Sequence, residues 1–116
     1  MTVTGIGGLF FRSRDPRARA AWYREHLGID AGEDAVWTQS AGMTVFAPFP
    51  QDSGYFDSAQ PFMLNLRVTD LSTLVARLEA AGIEVETREE WATEFGRFAR
   101  LHDPEGLPIE LWELPE

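Results

Sequence analysis

The sequence predicts an α+β domain in which the order strand, helix and three strands occurs twice. Two segments carry the repeat, 9-LFFRSRDPRARAAWYREHLGI-29 and 64-LNLRVTDLSTLVARLEAAGI-83. Each segment has Arg at its fourth position, Asp three residues later and Gly-Ile at its end. Because 116 residues suffice for one domain with a genuine core, we interpret the repeat as two modules of one domain. Module 1 is expected over about 1–50, a linker over about 51–60 and module 2 over about 61–116.

Capping residues predict where each helix begins and ends. Asp15 and Asp70 can accept the free N–H groups of a first helical turn, and Pro16 suits the first helical position because no donor is needed there. Gly28 and Gly82 can adopt the left-handed conformation that ends a helix. The positions expected to be buried are Ala20, Tyr23 and Leu27 in the first helix, and Leu71, Leu74, Val75, Leu78 and Ala81 in the second.

Three strands are expected after each helix. They are predicted near 29–33, at 35–40 and at 43–49 in the first half, and at 83–91, 95–102 and 107–114 in the second. The segment 103-DPEG-106 favours a tight connection between the last two strands. The segment 48–61 is rich in Pro, Ser, Gln and Asp, so it is interpreted as the connection between the halves.

Side-chain alternation predicts a different role for each face of the sheet. One face is almost entirely aliphatic and is expected to lie under the helices: Leu9, Phe11, Val45, Ala47, Leu64, Leu66, Val68, Ile109 and Leu111. The other face mixes aromatic and charged groups: Gly8, Phe10, Arg12, Thr44, Phe46, Met63, Asn65, Arg67, Glu110 and Trp112. Such a mixture is typical of a concave surface that binds a ligand.

Composition excludes several classes of partner. The chain has 10 Lys and Arg against 19 Asp and Glu, and its net charge of −9 disfavours nucleic acid. The absence of Cys excludes disulfides and Cys-ligated zinc. No segment approaches the ~20 consecutive apolar residues of a membrane span, and the N-terminus does not resemble a secretory signal. We therefore expect a cytoplasmic protein without membrane or nucleic-acid partners.

Two motifs resemble the vicinal oxygen chelate superfamily, which contains glyoxalases, bleomycin-resistance proteins and extradiol dioxygenases. The motif 15-DPRARAAWYREHLGI-29 is similar to the family's strand-to-helix segment, and 103-DPEGLPIELWEL-114 is similar to its terminal hairpin, with Leu107 in place of the usual Asn. Within the superfamily, the chain looks most like small glyoxalase-like single-domain proteins. The resemblance implies paired βαβββ modules, a curled mixed sheet that forms a cup around a small ligand, helices outside the cup, and a homodimer.

The resemblance also implies a divalent metal held by His or Glu at four strand positions, which correspond here to Gly8, Phe46, Met63 and Glu110. Among these, only Glu110 is a suitable ligand, since glycine and phenylalanine cannot ligate and a thioether is too soft for such a site. The two histidines, His26 and His102, are assigned to the helix surface and to local hydrogen bonding beside the hairpin. We predict no metal site and no cofactor.

Glu110 lies in the middle of an apolar strand, where a buried carboxylate must be paired or protonated. One interpretation is a structural ion pair that closes the cup. Another is a catalytic acid/base or hydrogen-bonding group, with an arginine holding an anionic group of the ligand. The expected ligand-binding residues are Arg12, Phe46, Met63, Asn65, Arg67, Arg97 and Trp112, and Trp37 and Trp91 are further candidate pocket walls.

Three functions fit these patterns. The first is a metal-independent small-molecule-binding or resistance-type protein for an anionic or aromatic ligand. The second is a lyase, isomerase or dioxygenase-like enzyme of the same fold that uses Glu110 as acid/base or metal ligand. The third is an interaction module whose aromatic face is core or subunit contact. We choose the first, because three of the four metal-ligand positions lack a suitable group while the mixed face remains.

Overall fold

Six regular elements are formed by the part of the chain that the computed structural model describes, residues 2–32 and 34–116. In chain order they are α1 (Pro16–Leu27), β1 (Leu64–Arg67), α2 (Leu71–Ala80), β2 (Glu86–Thr93), β3 (Gly96–His102) and β4 (Pro108–Glu113). The strands form one open mixed sheet in the order β1-β4-β3-β2. Strand β1 runs parallel to β4, and the other two pairs are antiparallel. The predicted α+β class is confirmed.

Both helices begin at the predicted capping residues and α1 ends at Gly28 as predicted, whereas the C-cap of α2 is Ala81, one residue before Gly82. The Asp15 carboxylate accepts the Ala18 N–H at 3.1 Å, and the Asp70 carboxylate accepts the Thr73 N–H at 3.3 Å. Gly28 and Gly82 have φ angles of 70° and 83°, which a residue with a side chain adopts only with strain. Local sequence therefore determines the helix limits.

The core lies between α2, part of α1 and the aliphatic face of the sheet. Its buried members are Tyr23, Leu71, Leu78, Ala99, Leu101, Ile109 and Leu111. Leu64, Leu66 and Val68 pack against this cluster, as the alternation of the second half predicts. Each buried leucine or isoleucine contributes about 1.5–3 kcal/mol of transfer free energy.

Two expected core positions are wrong. Ala20 is exposed because α1 turns a neighbouring residue, Arg19, toward the protein interior, where it meets Asp103. Ala81 is exposed because it follows the last residue of α2, where the helical stripe ends.

The second half has the predicted order of strand, helix and three strands. Gly96 begins β3 with a φ angle of 128°, and a Cβ atom at this position would overlap the Glu113 carbonyl oxygen of β4. Only glycine fits this close approach of two strands. The DPEG segment connects β3 and β4 as predicted, with the Gly106 N–H donating to the Asp103 carbonyl at 2.9 Å.

The first half departs from the prediction. No strand is formed within residues 2–32 or 34–63, so the strands expected at the start of the repeat, at 35–40 and at 43–49 are absent there. The piece expected near 29–33 includes Glu33, which lies outside the described residues. The two-module βαβββ architecture and the closed cup are therefore not confirmed.

The aliphatic face expected for the first half is uncovered. Leu9 is 48% exposed, and Phe11, Val45 and Ala47 are exposed as well. A strand needs a hydrogen-bonded neighbour and a covered apolar face. Helix α1 does not supply that cover, because its buried residues Arg19 and Tyr23 contact Asp103 of the second half.

No helix within the described ranges is long and apolar enough to cross a membrane.

Candidate functional site

The sheet face opposite the helices brings three polar side chains together across three neighbouring strands. In the register, Asn65 of β1 lies opposite Glu110 of β4, and Glu110 lies opposite Arg100 of β3. Directly opposite residues project to the same side of a sheet. Glu110 is 8% exposed, so its carboxylate must find partners within the protein.

The Glu110 carboxylate is paired with two neutral donors. The Asn65 side-chain amide donates to Oε1 at 2.8 Å. The Tyr55 hydroxyl donates to Oε2. Burial raises the pKa of Tyr55, and the hydrogen bond and negative charge of Glu110 raise it further, so the hydroxyl keeps its proton at neutral pH. The direct contacts of Glu110 are thus hydrogen bonds from uncharged groups.

Arg100 covers the ring of Tyr55. Its guanidinium carbon lies 4.2 Å from the Tyr55 ring centroid and 5.5 Å from that of Trp91. Its Nη1 donates to the Tyr55 carbonyl oxygen at 2.6 Å. Its Nε is buried and has no hydrogen-bond partner among the described residues. Such an orphan donor costs about 1–3 kcal/mol, so an acceptor on a ligand would be stabilised there.

Asn65, Arg67 and Trp112 are the predicted binding residues that share this face with Glu110. Trp112 is paired with Phe98 of β3, their ring planes stacked at 7° with centroids 5.9 Å apart. The Trp112 indole nitrogen donates to the Phe95 carbonyl at 2.8 Å. The indole hydrogen bond therefore joins β4 to the turn between β2 and β3.

Arg67 lies on the same face, opposite Trp112 on β4. Its guanidinium donates to the carbonyl oxygens of Ser40 and Ala41 at 2.9 and 3.3 Å. It also covers Gly42 so closely that a Cβ atom there would overlap Nη1. Arg67 thus ties the segment around Ser40 and Ala41 to β1.

The arginine opposite Glu110 is Arg100, whereas sequence reasoning selected Arg97. Arg97 lies opposite Glu113 and donates to the Ser72 hydroxyl of α2 at 3.1 Å, which puts it on the helix side of the sheet. The partner of Glu110 can be found by counting outward from the DPEG turn. Each step away from the Asp103–Leu107 pair moves one residue along β3 and one along β4, so three steps bring Arg100 opposite Glu110. Tyr55 had no comparable signal, since its segment has no periodic pattern.

The remaining predicted residues are not brought to Glu110. Phe46 is 90% exposed, Trp37 is exposed, and Met63 is half-buried just before β1. The Arg12 side chain is exposed, and its carbonyl oxygen accepts from Arg19 Nη1 at 2.9 Å.

A second polar cluster fastens α1 to the DPEG turn. Arg19 and Asp103 are both buried, with Nη2 and Oδ2 2.7 Å apart, and the Tyr23 hydroxyl donates to the same Oδ2 at 2.7 Å. Asp103 Oδ1 accepts the N–H groups of Glu105 and Leu107. Burial and the bond to Asp103 raise the pKa of Tyr23 well above its usual range. The partners of Asp103 belong to α1 and to the turn itself, so the cluster holds these two parts of the fold together.

The profile of the glyoxalase-like domain family matches residues 8–112. The chain belongs to this family. The resemblance stated from the two motifs is therefore confirmed.

A solved structure agrees with this membership at the level of the fold. TnmS3, an antibiotic-binding protein from Streptomyces sp. CB03234, superposes with a TM-score of 0.61 and 22% sequence identity, covering 99% of both chains. A comparison with curated protein sequences gave no significant match.

Of the four positions that the resemblance assigns to metal ligands, Gly8, Phe46 and Met63 carry no oxygen or nitrogen ligand. Within 2–32 and 34–116, no three Asp, Glu or His side chains are close enough together to hold one. Glu110 is the one ligating group among the four positions, and its two oxygens accept from Asn65 and Tyr55. Catalytic zinc sites usually have three protein ligands.

Proposed function

We propose that this glyoxalase-like protein binds a small aromatic or anionic molecule at the sheet face around Glu110, without a metal and without breaking a bond. The observation that carries the proposal is the buried Glu110 carboxylate, which accepts from two neutral donors beside Arg100. A neutral donor of the ligand can replace a neutral donor of the protein at the carboxylate with little net change in free energy.

The composition of this face supports binding. Aromatic rings of Trp91, Phe98 and Trp112 lie near polar groups of Asn65 and Arg100. Ligand sites commonly combine apolar walls with a few directional polar groups. Family membership and the fold shared with an antibiotic-binding protein are consistent with this role.

Of the residues selected from the sequence, we propose that Asn65, Arg67 and Trp112 contact the ligand with Glu110. Arg12, Phe46, Met63 and Arg97 keep this role as predictions. We add Arg100 as a ligand contact, because it lies opposite Glu110 in the register.

The test is a titration with benzoate and with naphthalene, followed by two-dimensional amide NMR. We expect shifts of the Asn65, Arg100 and Glu110 signals, weakened in Glu110→Gln. Glu113→Gln is the matched control, since Glu113 lies on the same strand but its carboxylate accepts the Leu71 N–H on the helix side. Shifts that are identical in both variants would contradict the proposed site. Elemental analysis of protein purified without chelator should give no stoichiometric metal.

The enzyme alternative is favoured by one contact. The Tyr55 hydroxyl and the Glu110 carboxylate form a proton donor and acceptor pair at the site. If the protein is a lyase or isomerase, Glu110→Gln should abolish turnover while the folded structure is retained. Normal turnover by that variant would exclude Glu110 as the acid/base.

We also propose that the chain completes its two-module cup in a homodimer. The first half exposes large apolar side chains, such as Phe10 at 95%, and it repeats the pattern that forms a covered sheet in the second half. A second copy can supply the missing neighbours. Sedimentation equilibrium should then give twice the chain mass, and a monomer at micromolar concentration would contradict this part of the proposal.

A further inference from the structure

Tyr55 enters the Glu110 site from a segment without helix or strand. The segment 48–63 forms no ladder with the sheet, and its Phe49 ring lies 5.6 Å from the Tyr55 ring. Tyr55 is 40% exposed. Its contacts with the sheet are the hydroxyl bond to Glu110, the ring under Arg100 and the carbonyl bond to Arg100.

We infer that Tyr55 occupies the position of a ligand, and that the site binds an aromatic ring carrying a hydroxyl group, which displaces the Tyr55 side chain. This inference rests on the proposed small-molecule site at Glu110. It adds the chemical class of the ligand and identifies Tyr55 as the residue whose side chain is displaced.

Each group around the Tyr55 side chain selects one feature of such a ligand. The Glu110 carboxylate accepts a hydroxyl hydrogen but repels another carboxylate at that point. The Arg100 guanidinium attracts the face of an aromatic ring, as it does that of Tyr55. Asn65 holds the other oxygen of Glu110 and so fixes the direction of the accepting lone pair.

The protonation of Tyr55 narrows the class further. Burial and Glu110 raise the pKa of its hydroxyl, because an ionised oxygen beside the carboxylate is disfavoured. A ligand hydroxyl must likewise be neutral, so weakly acidic phenols are preferred over strongly acidic ones. The buried Nε of Arg100, which has no partner among the residues described, would be satisfied by an acceptor oxygen attached to the ring.

The Tyr55 side chain can leave without breaking the sheet. No ladder bond of the sheet involves Tyr55, and its backbone N–H is bonded to the Ser53 hydroxyl of the same segment. The segment and the site are therefore joined by side-chain contacts and one carbonyl bond, all of which a phenol with an acceptor oxygen can replace.

The experiment uses p-cresol, which is the tyrosine side chain alone, and toluene, which lacks only the hydroxyl. In Tyr55→Ala we expect p-cresol to bind about tenfold more tightly than in the wild-type protein, because no side chain has to be displaced. We expect p-cresol to bind that variant about fivefold more tightly than toluene, which corresponds to one net hydrogen bond. Binding is measured by amide NMR titration.

Two variants control the interpretation. Phe95→Ala removes an aromatic ring that is 66% exposed at the β2–β3 turn, and it should leave p-cresol affinity at the wild-type value. Adding Glu110→Gln to Tyr55→Ala should reduce the preference for p-cresol over toluene. If circular dichroism shows that Tyr55→Ala does not fold, Tyr55→Phe is used. This variant lacks the hydroxyl that donates to Glu110, so its side chain is held less tightly and p-cresol should still bind more tightly than to wild type.

The inference is overturned if p-cresol binds the Tyr55 variants no better than wild type, or no better than toluene. Suppose that benzoate or naphthalene shifts the Glu110-face signals, but p-cresol binds the Tyr55 variants no better than wild type and no better than toluene binds them. The proposed site then stands and the ligand class is wrong. If none of these probes shifts those signals, the proposed function fails as well.

Discussion

Asn65 and Glu110 face each other across neighbouring parallel strands, with the Asn65 side-chain nitrogen 2.8 Å from Glu110 Oε1. This relationship joins the edge strand β1 to the one carboxylate of the central strand's open face. A charge introduced at position 65 would therefore act directly on the Glu110 carboxylate.

Asn65→Asp should destabilise the protein in a pH-dependent way. Two adjacent carboxylates raise the folded-state pKa of one of them above its unfolded value. The repulsion is then present at neutral pH and is relieved as pH falls through that raised pKa. We expect a loss of about 1 kcal/mol at pH 7 and a smaller loss near pH 4, since position 65 is partly solvated.

Urea unfolding at both pH values measures this difference. Gln39→Glu is the matched control, because it makes the same change from amide to acid at an exposed position. Equal losses at pH 7 and pH 4 would contradict the contact between positions 65 and 110.

Asp103→Asn should be among the most destabilising single changes. It removes the nearer ion-pair partner of the buried Arg19 guanidinium, which keeps only Glu105 at 3.6 Å, and breaking a buried pair on one side costs up to about 3–5 kcal/mol. The free energy of unfolding in urea checks the value. Asp52→Asn makes the same chemical change at an exposed residue and should cost less than about 0.5 kcal/mol.

Glu105 should stabilise the fold against acid. Hydrogen bonds from the Ser13 hydroxyl and the Arg14 N–H lower its pKa from 4.5 to about 2. Its contribution is therefore complete above pH 4.5 and is lost as pH falls toward 2.

Glu105→Gln should remove part of the fall in stability over this pH interval. Thermal unfolding between pH 2 and pH 6 tests the slope, with Glu116→Gln at the exposed C-terminus as control. A slope in Glu105→Gln equal to that of the control would show that these hydrogen bonds do not persist in solution.

Leu78→Ala and Leu9→Ala should differ strongly in how much they lower the free energy of unfolding. Leu78 of α2 is fully buried in the core, so its truncation should cost about 2–5 kcal/mol. Leu9 is half exposed in the single chain, so the same truncation should cost less than about 1 kcal/mol in the monomer.

The comparison also reports on association. If Leu9→Ala is as costly as Leu78→Ala at high protein concentration and mild on dilution, the first half is covered by a second copy. If Leu9→Ala is costly at every concentration, Leu9 is covered within one chain. That result would contradict the half-exposed position of Leu9 in the single chain.

The sequence predicted those features that depend on neighbours within one or two turns of chain. Asp15, Gly28 and Asp70 mark the helix ends because caps act on adjacent backbone groups. The parity of Asn65 and Glu110 followed from strand alternation, which needs no tertiary information. Family membership followed from two motifs that carry these local signals.

Contacts between distant residues were not predictable in the same way. The burial of Arg19 depends on Asp103, which lies 84 residues away in sequence. Whether the first half forms strands depends on which surface covers its apolar face, and alternation alone does not identify that surface.

By itself the sequence determined the two helices, the hairpin at DPEG and the inward position of Glu110, because periodicity, capping and turn chemistry are short-range. Only the tertiary structure decided that Tyr55 donates to Glu110 across 55 positions of chain, and that Arg19 is buried against the turn. The physical reason is that the path of an irregular segment and the contacts between distant residues arise from packing of the whole chain, so no local pattern encodes them.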